Sequence, residues 1–327
     1  MNVLIDYPLS ESARLIMDRH AVDYTVMTFP HQQMLLEVLA KMPEHERESY
    51  DVLIGDALQV NSTVIELLPN LKWVHHFAAG LAGQNSVDWK AIDAASIVIT
   101  TSKIQALSVS ELAVALILSL LKNLPQLHSR QAQQQYVNAP NPSMLYDKSA
   151  LIVGTGNIGA EIGRKLSCGF GVEVSGINED SEAIEHFHRI GDMSELNSFI
   201  ADADIVILAC PQTDETQNLM SRERIYMMKP SALLINIARG GLLDQQALID
   251  ALHDGTIGGA ALDVFEREPI DTGDHIWDAP NLIITPHIAG FSPSYSEEVA
   301  KIFLKSLPGY LEKAYDKMPT YANSKKY

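Results

Sequence analysis

Short apolar, β-branched runs alternate with stretches of helical spacing along the whole chain. In the first hundred residues Val3–Asp6, Val52–Gly55, Trp73–Phe77 and Ile97–Thr100 read as strands, with Ser10–Met17 and Ser62–Leu68 as helices among them. Strands alternating with helices predict parallel β units wrapped by helices.

Ser108–Asn123 then reads as a long apolar helix leading into a second unit, and Gln126–Lys148, with Pro140 and Pro142, as an irregular loop. From Ser149 the rhythm is regular. Strands are expected at Ala150–Val153, Glu173–Ile177, Asp204–Ala209, Ala232–Asn236, Gly259–Val264 and Leu282–Thr285. Helices fall at Ile158–Ser167, Ser194–Ala201, Arg222–Met228 and Gln245–His253. Six strands with mostly helical crossovers are what a Rossmann sheet requires. A last helix, Ser294–Glu312, follows the sixth strand and is expected to return to the N-terminal unit. The fold expected is therefore α/β: a Rossmann cofactor domain with a parallel sheet over residues 100–288, and a smaller, discontinuous, flavodoxin-like substrate domain over 1–99 and 289–327.

Composition narrows the partners. The chain of 327 residues carries 24 Lys and Arg against 41 Asp and Glu, a formal charge of −17. So acidic a surface repels phosphate backbones and anionic membranes, which speaks against nucleic-acid and membrane partners. The most apolar run, Leu112 to Leu121, is about half the length a membrane span needs. No basic, apolar leader opens the sequence, so a cytoplasmic protein is expected. Cys168 and Cys210 are too far apart for a metal knuckle and read as small buried hydrophobes; no metal is expected.

Gly154-Thr155-Gly156-Asn157-Ile158-Gly159 follows a predicted strand and opens a predicted helix. That context marks a dinucleotide loop: the first glycine permits the tight turn, the second a close pyrophosphate, the third close helix packing. The helix start offers unpaired N–H groups to phosphate. The next strand ends in Asn178-Glu179-Asp180, where an adenosine ribose is read. Acidic neighbours there favour NAD over NADP.

Strand four of this unit runs into Ala238-Arg239-Gly240-Gly241, strand five into Asp263, Glu266 and Glu268, and strand six into Thr285-Pro286-His287. Ligands of open α/β sheets bind beyond the carboxyl ends of the strands. Hydride transfer to a 2-keto acid needs a cation for the carboxylate and a proton donor for the developing alkoxide. Arg239 offers the planar fork. His287 offers an imidazole, a side chain whose ordinary pKa of about 6.5 suits proton transfer at neutral pH. A carboxylate on its other nitrogen would orient the ring; Glu266 and Glu268 both qualify by spacing. Asp263 could accept from the nicotinamide carboxamide.

These stretches, with Pro211-Gln212-Thr213-Asp214-Glu215-Thr216, resemble the D-isomer-specific 2-hydroxyacid dehydrogenase family, over about Leu71 to Ser306. The resemblance implies a catalytic triad of Arg239, Glu268 and His287, and so prefers Glu268. It also implies a substrate loop at Ala79-Gly80-Leu81, with Ala82 where many members carry Asp, and a homodimer paired through the cofactor domain. Expected cofactor contacts are thus Gly154, Gly156, Asn157, Ile158, Gly159, Asn178, Cys210, Pro211, Thr216, Ala238, Arg239, Asp263, His287 and Gly290. Expected substrate contacts are Ala79, Gly80, Leu81, Arg239 and His287, with apolar Leu81 suiting a non-polar substrate side chain.

The chain ends at Tyr327, without length for the regulatory domain of many phosphoglycerate dehydrogenases, and His287-Ile288-Ala289-Gly290 differs from the His-x-Ala-Phe-Tyr of D-lactate dehydrogenases. Glyoxylate, hydroxypyruvate and branched 2-keto acids stay open as substrates. The alternative function is a dinucleotide-sensing interaction protein of corepressor type, which could keep the same residues with little or no turnover.

Overall fold

A computed structural model describes residues 1–20, 23–26, 35–78, 81, 87–102, 104–136, 142–179 and 181–324. Its strands, in chain order, are β1 (Asn2–Ile5), β2 (Asp23–Val26), β3 (Val52–Gly55), β4 (Trp73–His76), β5 (Val98–Thr101), β6 (Ser149–Val153), β7 (Glu173–Ile177), β8 (Arg189–Gly191), β9 (Ile205–Leu208), β10 (Leu233–Asn236), β11 (Gly259–Leu262), β12 (Leu282–Ile284) and β13 (Tyr321–Ala322). They belong to two compact units, Met1–Gln105 with Ser292–Tyr327, and Ala106–Phe291. These divisions fall after 105 and 291, a few residues later than the borders the sequence pattern suggests.

The first unit holds a sheet in the order β13-β5-β4-β3-β1-β2, parallel except for β13. Alternate residues face opposite sides of a strand. Leu4 accordingly packs with Leu53 and Val74 on one face, while Val3 and Ile5 pack with Trp73 and Phe303 on the other. Phe303 comes from the helix Tyr295–Leu311, the returning segment, which stacks its ring on Trp73 at 4.6 Å between centroids. A side chain of this size contributes roughly 3–5 kcal/mol when truncation leaves a cavity.

The second unit holds seven parallel strands in the order β12-β11-β10-β9-β6-β7-β8. Crossing from β8 back to β9 passes the first strand, so the switch point lies between β6 and β9. Leu151, Val153, Val206 and Leu208 fill one face; Ala150, Ile152, Ile205 and Ile207 fill the other. The second face is covered by the helices Ala106–Leu121 and Asn157–Phe170, through Ala113, Ile117, Ile162 and Leu166. Among the described residues no single helix is long and apolar enough to cross a membrane.

Three expectations are corrected. The segment read as a loop from Gln126 begins inside a helix, Leu124–Ala132, whose Pro125 stands at its first turn. Proline there costs nothing, because that N–H has no helical partner anyway. Cys168 is exposed rather than buried, with its sulfur 3.4 Å from His186 Nδ1. The edge strands β2, β8 and β13 do not stand out as apolar runs, because an edge is only half covered.

Candidate functional site

Because the second sheet is parallel, the residues that follow its strands gather at one edge. The glycine loop follows β6. Gly154 has φ +94°, and a Cβ there would meet the Cys210 backbone nitrogen at 2.5 Å. Only glycine satisfies both demands. At Gly159 a Cβ would lie 2.0 Å from the Gly154 carbonyl oxygen, which is what close packing of helix on strand requires. At Gly156 a Cβ would meet nothing within 4 Å. Asn157, Ile158 and Gly159 form the first turn of the helix Asn157–Phe170, and no described side chain caps it. Its first N–H groups therefore point outward, a ready anion site.

Asn178 follows β7. Its Nδ2 donates to Thr155 Oγ1 of the glycine loop at 3.1 Å, and its backbone N–H donates to the Gly191 carbonyl. The Asn178 Oδ1 atom is buried with no hydrogen-bond partner. A buried acceptor left unpaired is costly, and here it stands where a ribose hydroxyl would donate. Glu179 beside it is exposed, and Asp180 lies outside the described residues. After β9, burial pushes the Cys210 thiol up to about 11. The Pro211 carbonyl accepts from Thr216 Oγ1 at 2.8 Å, closing the turn between them. The glycine cradle, the open helix start and the orphaned Asn178 oxygen together fit a dinucleotide.

Asn236, the last residue of β10, is fully buried. Its Nδ2 donates to the Arg239 carbonyl at 2.8 Å and its Oδ1 accepts from the Ala238 N–H at 3.1 Å. Arg239 Nη1 donates in turn to the Ala238 carbonyl at 2.7 Å. Burial lowers the Arg239 pKa and the charge of Glu268 opposes that shift. An arginine stays charged at any ordinary pH.

Asp263 follows β11 and is fully buried. Its carboxylate accepts from Thr285 Oγ1 at 2.5 Å, from the Ile288 N–H at 3.0 Å and from the Ala289 N–H at 2.9 Å. Its carbonyl accepts from the His287 N–H at 2.8 Å. The carboxylate thus braces the turn that carries His287. His287 itself has φ +53°, a conformation that costs a non-glycine residue about 1 kcal/mol and persists where surroundings impose it. The Phe291 N–H bonds the Ile288 carbonyl at 3.0 Å, closing a further turn around Gly290.

His287 Nδ1 lies 2.7 Å from Glu268 Oε2. Burial pushes the Glu268 carboxyl up, but hydrogen bonds from His287 and the Phe265 N–H, with the charges of His287 and Arg239, outweigh it and hold the group below the ordinary glutamate value. An ionised carboxylate only accepts, so the imidazole carries its hydrogen on Nδ1 and turns Nε2 outward. Glu266 serves elsewhere: it accepts from the Gln245 N–H at the start of a helix, at 3.4 Å. Spacing alone leaves these two glutamates equivalent; the fold separates them.

Of the expected substrate residues in the first unit, Ala79 and Gly80 lie outside the described residues. Leu81 is 1% exposed and belongs to that unit's core, so its side chain does not offer an apolar wall to a ligand. Sequence reasoning gave no role to Asn236, Thr155 or Thr285. An asparagine at a strand end, two and three residues before the groups it holds, is the recognisable signature of a side chain folding onto its own backbone. Among the described residues no three His, Cys, Asp or Glu groups could hold a metal ion.

Residues 114–289 match the family model for the NAD-binding domain of D-isomer specific 2-hydroxyacid dehydrogenases. The glycerate dehydrogenase of Methylorubrum extorquens is 30% identical over 315 residues, covering 91% of this chain and 95% of that protein. A glyoxylate/hydroxypyruvate reductase of Arabidopsis thaliana is 30% identical over 279 residues, covering 82% of each. A crystal structure of a D-isomer specific 2-hydroxyacid dehydrogenase family protein from Aeromonas salmonicida superposes with a TM-score of 0.81 at 26% identity, over 95% of this chain and 96% of that one. With the glycine cradle and the Arg239, Glu268 and His287 groups at one sheet edge, the chain belongs to the D-isomer specific 2-hydroxyacid dehydrogenase family, NAD-dependent oxidoreductases acting on the CH–OH group of their donors.

Proposed function

We propose that this protein interconverts a small 2-keto acid and its D-2-hydroxy acid with NAD(H), through Arg239, Glu268 and His287. The observation that carries this is the 2.7 Å contact of His287 Nδ1 with an ionised Glu268, which holds the Nδ1 hydrogen there and leaves Nε2 to exchange a proton with a ligand. The dinucleotide, when bound, supplies the hydride. Arg239 holds the substrate carboxylate and so orients the keto carbon. His287 Nε2 donates a hydrogen bond to the carbonyl oxygen and releases its proton to it as negative charge develops there. The ring keeps its Nδ1 hydrogen on Glu268, so the proton that leaves the doubly protonated ring is the one on Nε2. In the oxidative direction the neutral Nε2 takes the hydroxyl proton.

Gly154, Gly156 and Gly159 with the Asn157 helix start would hold the pyrophosphate. The Asn178 Oδ1 atom supports a preference for NAD: a lone acceptor suits a ribose hydroxyl, and the exposed carboxylate of Glu179 repels a 2′-phosphate. A homodimer paired through the cofactor unit is part of this reading. Light scattering should then give twice the 36.0 kDa chain mass.

The deciding experiment is a panel of glyoxylate, hydroxypyruvate and branched 2-keto acids, each assayed with NADH and NADPH. Turnover of at least one acid, faster with NADH, is expected. Dinucleotide binding with turnover of none would overturn the enzymatic assignment.

A further inference from the structure

The turn that delivers Arg239 is hemmed in on two sides. A Cβ at Gly240 would meet the Phe265 carbonyl carbon at 1.9 Å, and one at Gly241 would meet the Gln212 side-chain amide at 2.4 Å. The turn therefore cannot slide toward either neighbour. The peptide units just before it, at Ala238 and Arg239, are the ones Asn236 grips. It takes the Ala238 N–H on Oδ1 and gives Nδ2 to the Arg239 carbonyl. The Ala238 carbonyl, on the same short stretch, is where Arg239 Nη1 rests. The Asn236 amide thus grips this segment at both ends, and the guanidinium rests on the carbonyl between them. Asn236 is fully buried, and its own carbonyl accepts the Asp263 N–H at 3.0 Å, so the clamp is fixed to the sheet.

We infer that Asn236 is a positioning residue for carboxylate capture: it sets the direction in which the Arg239 guanidinium leaves the backbone, without touching substrate. This rests on Arg239 as the carboxylate-binding group. Alanine at 236 removes both hydrogen bonds and frees the segment to rotate. Aspartate keeps the acceptor for the Ala238 N–H but turns an oxygen toward the Arg239 carbonyl, so only the second tie is lost.

The test uses the full-length protein with NADH, with glyoxylate as substrate and oxamate as a carboxylate probe that needs no turnover. Asn236→Ala should weaken oxamate binding to the NADH-bound protein by about tenfold and raise the glyoxylate KM similarly, with NADH affinity within about threefold. In an Arg239→Lys background, which lacks the planar fork, the same change should cost less than about twofold, because two residues acting through one contact are not additive. A purely architectural role predicts equal losses in both backgrounds, and that result overturns the inference. If Arg239→Lys alone leaves oxamate binding unchanged, the carboxylate role of Arg239 fails instead, whatever Asn236 does. Should Asn236→Ala not fold, Asn236→Asp takes its place in the cycle. Failure of both to fold assigns Asn236 to folding and refutes the positioning role.

Discussion

His287 and Glu268 lie nineteen residues apart in the chain and meet at 2.7 Å, the ring nitrogen on one carboxylate oxygen, while the other oxygen takes the Phe265 N–H at 3.0 Å. Both carboxylate oxygens are therefore committed, and the imidazole can hold only one orientation against them. Replacing Glu268 by Gln keeps the shape and removes the charge. Keto-acid reduction should fall about 10- to 100-fold while NADH affinity stays within about threefold. Unchanged turnover would separate Glu268 from the proton transfer.

His287→Ala goes further. Without a proton donor, NADH oxidation by keto acid should drop by about a thousandfold or more, while NADH affinity stays within about threefold. Stopped-flow turnover and NADH fluorescence titration measure the two quantities on one preparation. Undiminished turnover removes His287 from the chemistry.

The glycines of the cofactor loop should respond differently to the same methyl group. Gly154→Ala meets the Cys210 backbone at 2.5 Å and sits at φ +94°, so about 2–4 kcal/mol of stability should be lost along with dinucleotide binding. Gly156→Ala meets nothing within 4 Å in the protein, so its melting temperature should hold while NADH affinity falls. Equal melting temperatures for the two variants would contradict the packing assigned to Gly154.

The proposed preference for NAD rests on the residues after β7. Placing a cation beside the ribose, as Glu179→Arg, should lower the KM for NADPH relative to NADH by about tenfold. No change in that ratio would move the adenosine ribose away from this strand end.

One carboxyl in the first unit ties stability to pH. Burial, and then the charge of Asp56, raise Asp6 from 3.8 to about 7. In the unfolded chain this group ionises above about 4, while the folded chain retains the proton up to about 7. Between those values the folded state binds more protons, so stability falls as pH rises, and the loss is complete above 7. Asp6→Asn has no charge to bury. Its melting temperature should exceed that of the unmodified protein at pH 8, by an amount equivalent to roughly 4 kcal/mol, and converge with it near pH 4. Convergence at high pH instead would reverse the assignment.

The strands buried on both faces were legible because an apolar run has few other uses: Val52–Gly55 falls at the expected residues, as does the helix Gln245–His253. What escaped was whatever is half exposed. In β2 partly buried and exposed positions alternate, and β8 opens on Arg189. The helix Leu124–Ala132 hides because its Pro125 and polar side chains look like a loop until the proline is recognised as a starting residue. At the site, residue types and strand ends give Arg239 and His287, but direction is a property of three-dimensional packing. Nothing in the spacing tells that Leu81 turns into a core, that Cys168 faces out, or that Asp263 spends its carboxylate on a turn.

The Asn236 carbonyl receives the Asp263 N–H, and the Asp263 carbonyl receives the His287 N–H, so three neighbouring strand ends are stitched edge to edge by main-chain bonds. Arg239 and His287 are thereby mounted on a single plate whose spacing is indifferent to side-chain substitution in the loops beyond it. Under the proposed roles of Arg239 and His287, variation in those loops can retune which acid is accepted without recalibrating the distance between the two groups. For redesign, substrate scope and proton chemistry become separable dials on this scaffold, and loop libraries that leave residues 236, 263 and 287 untouched are where new specificities should be sought.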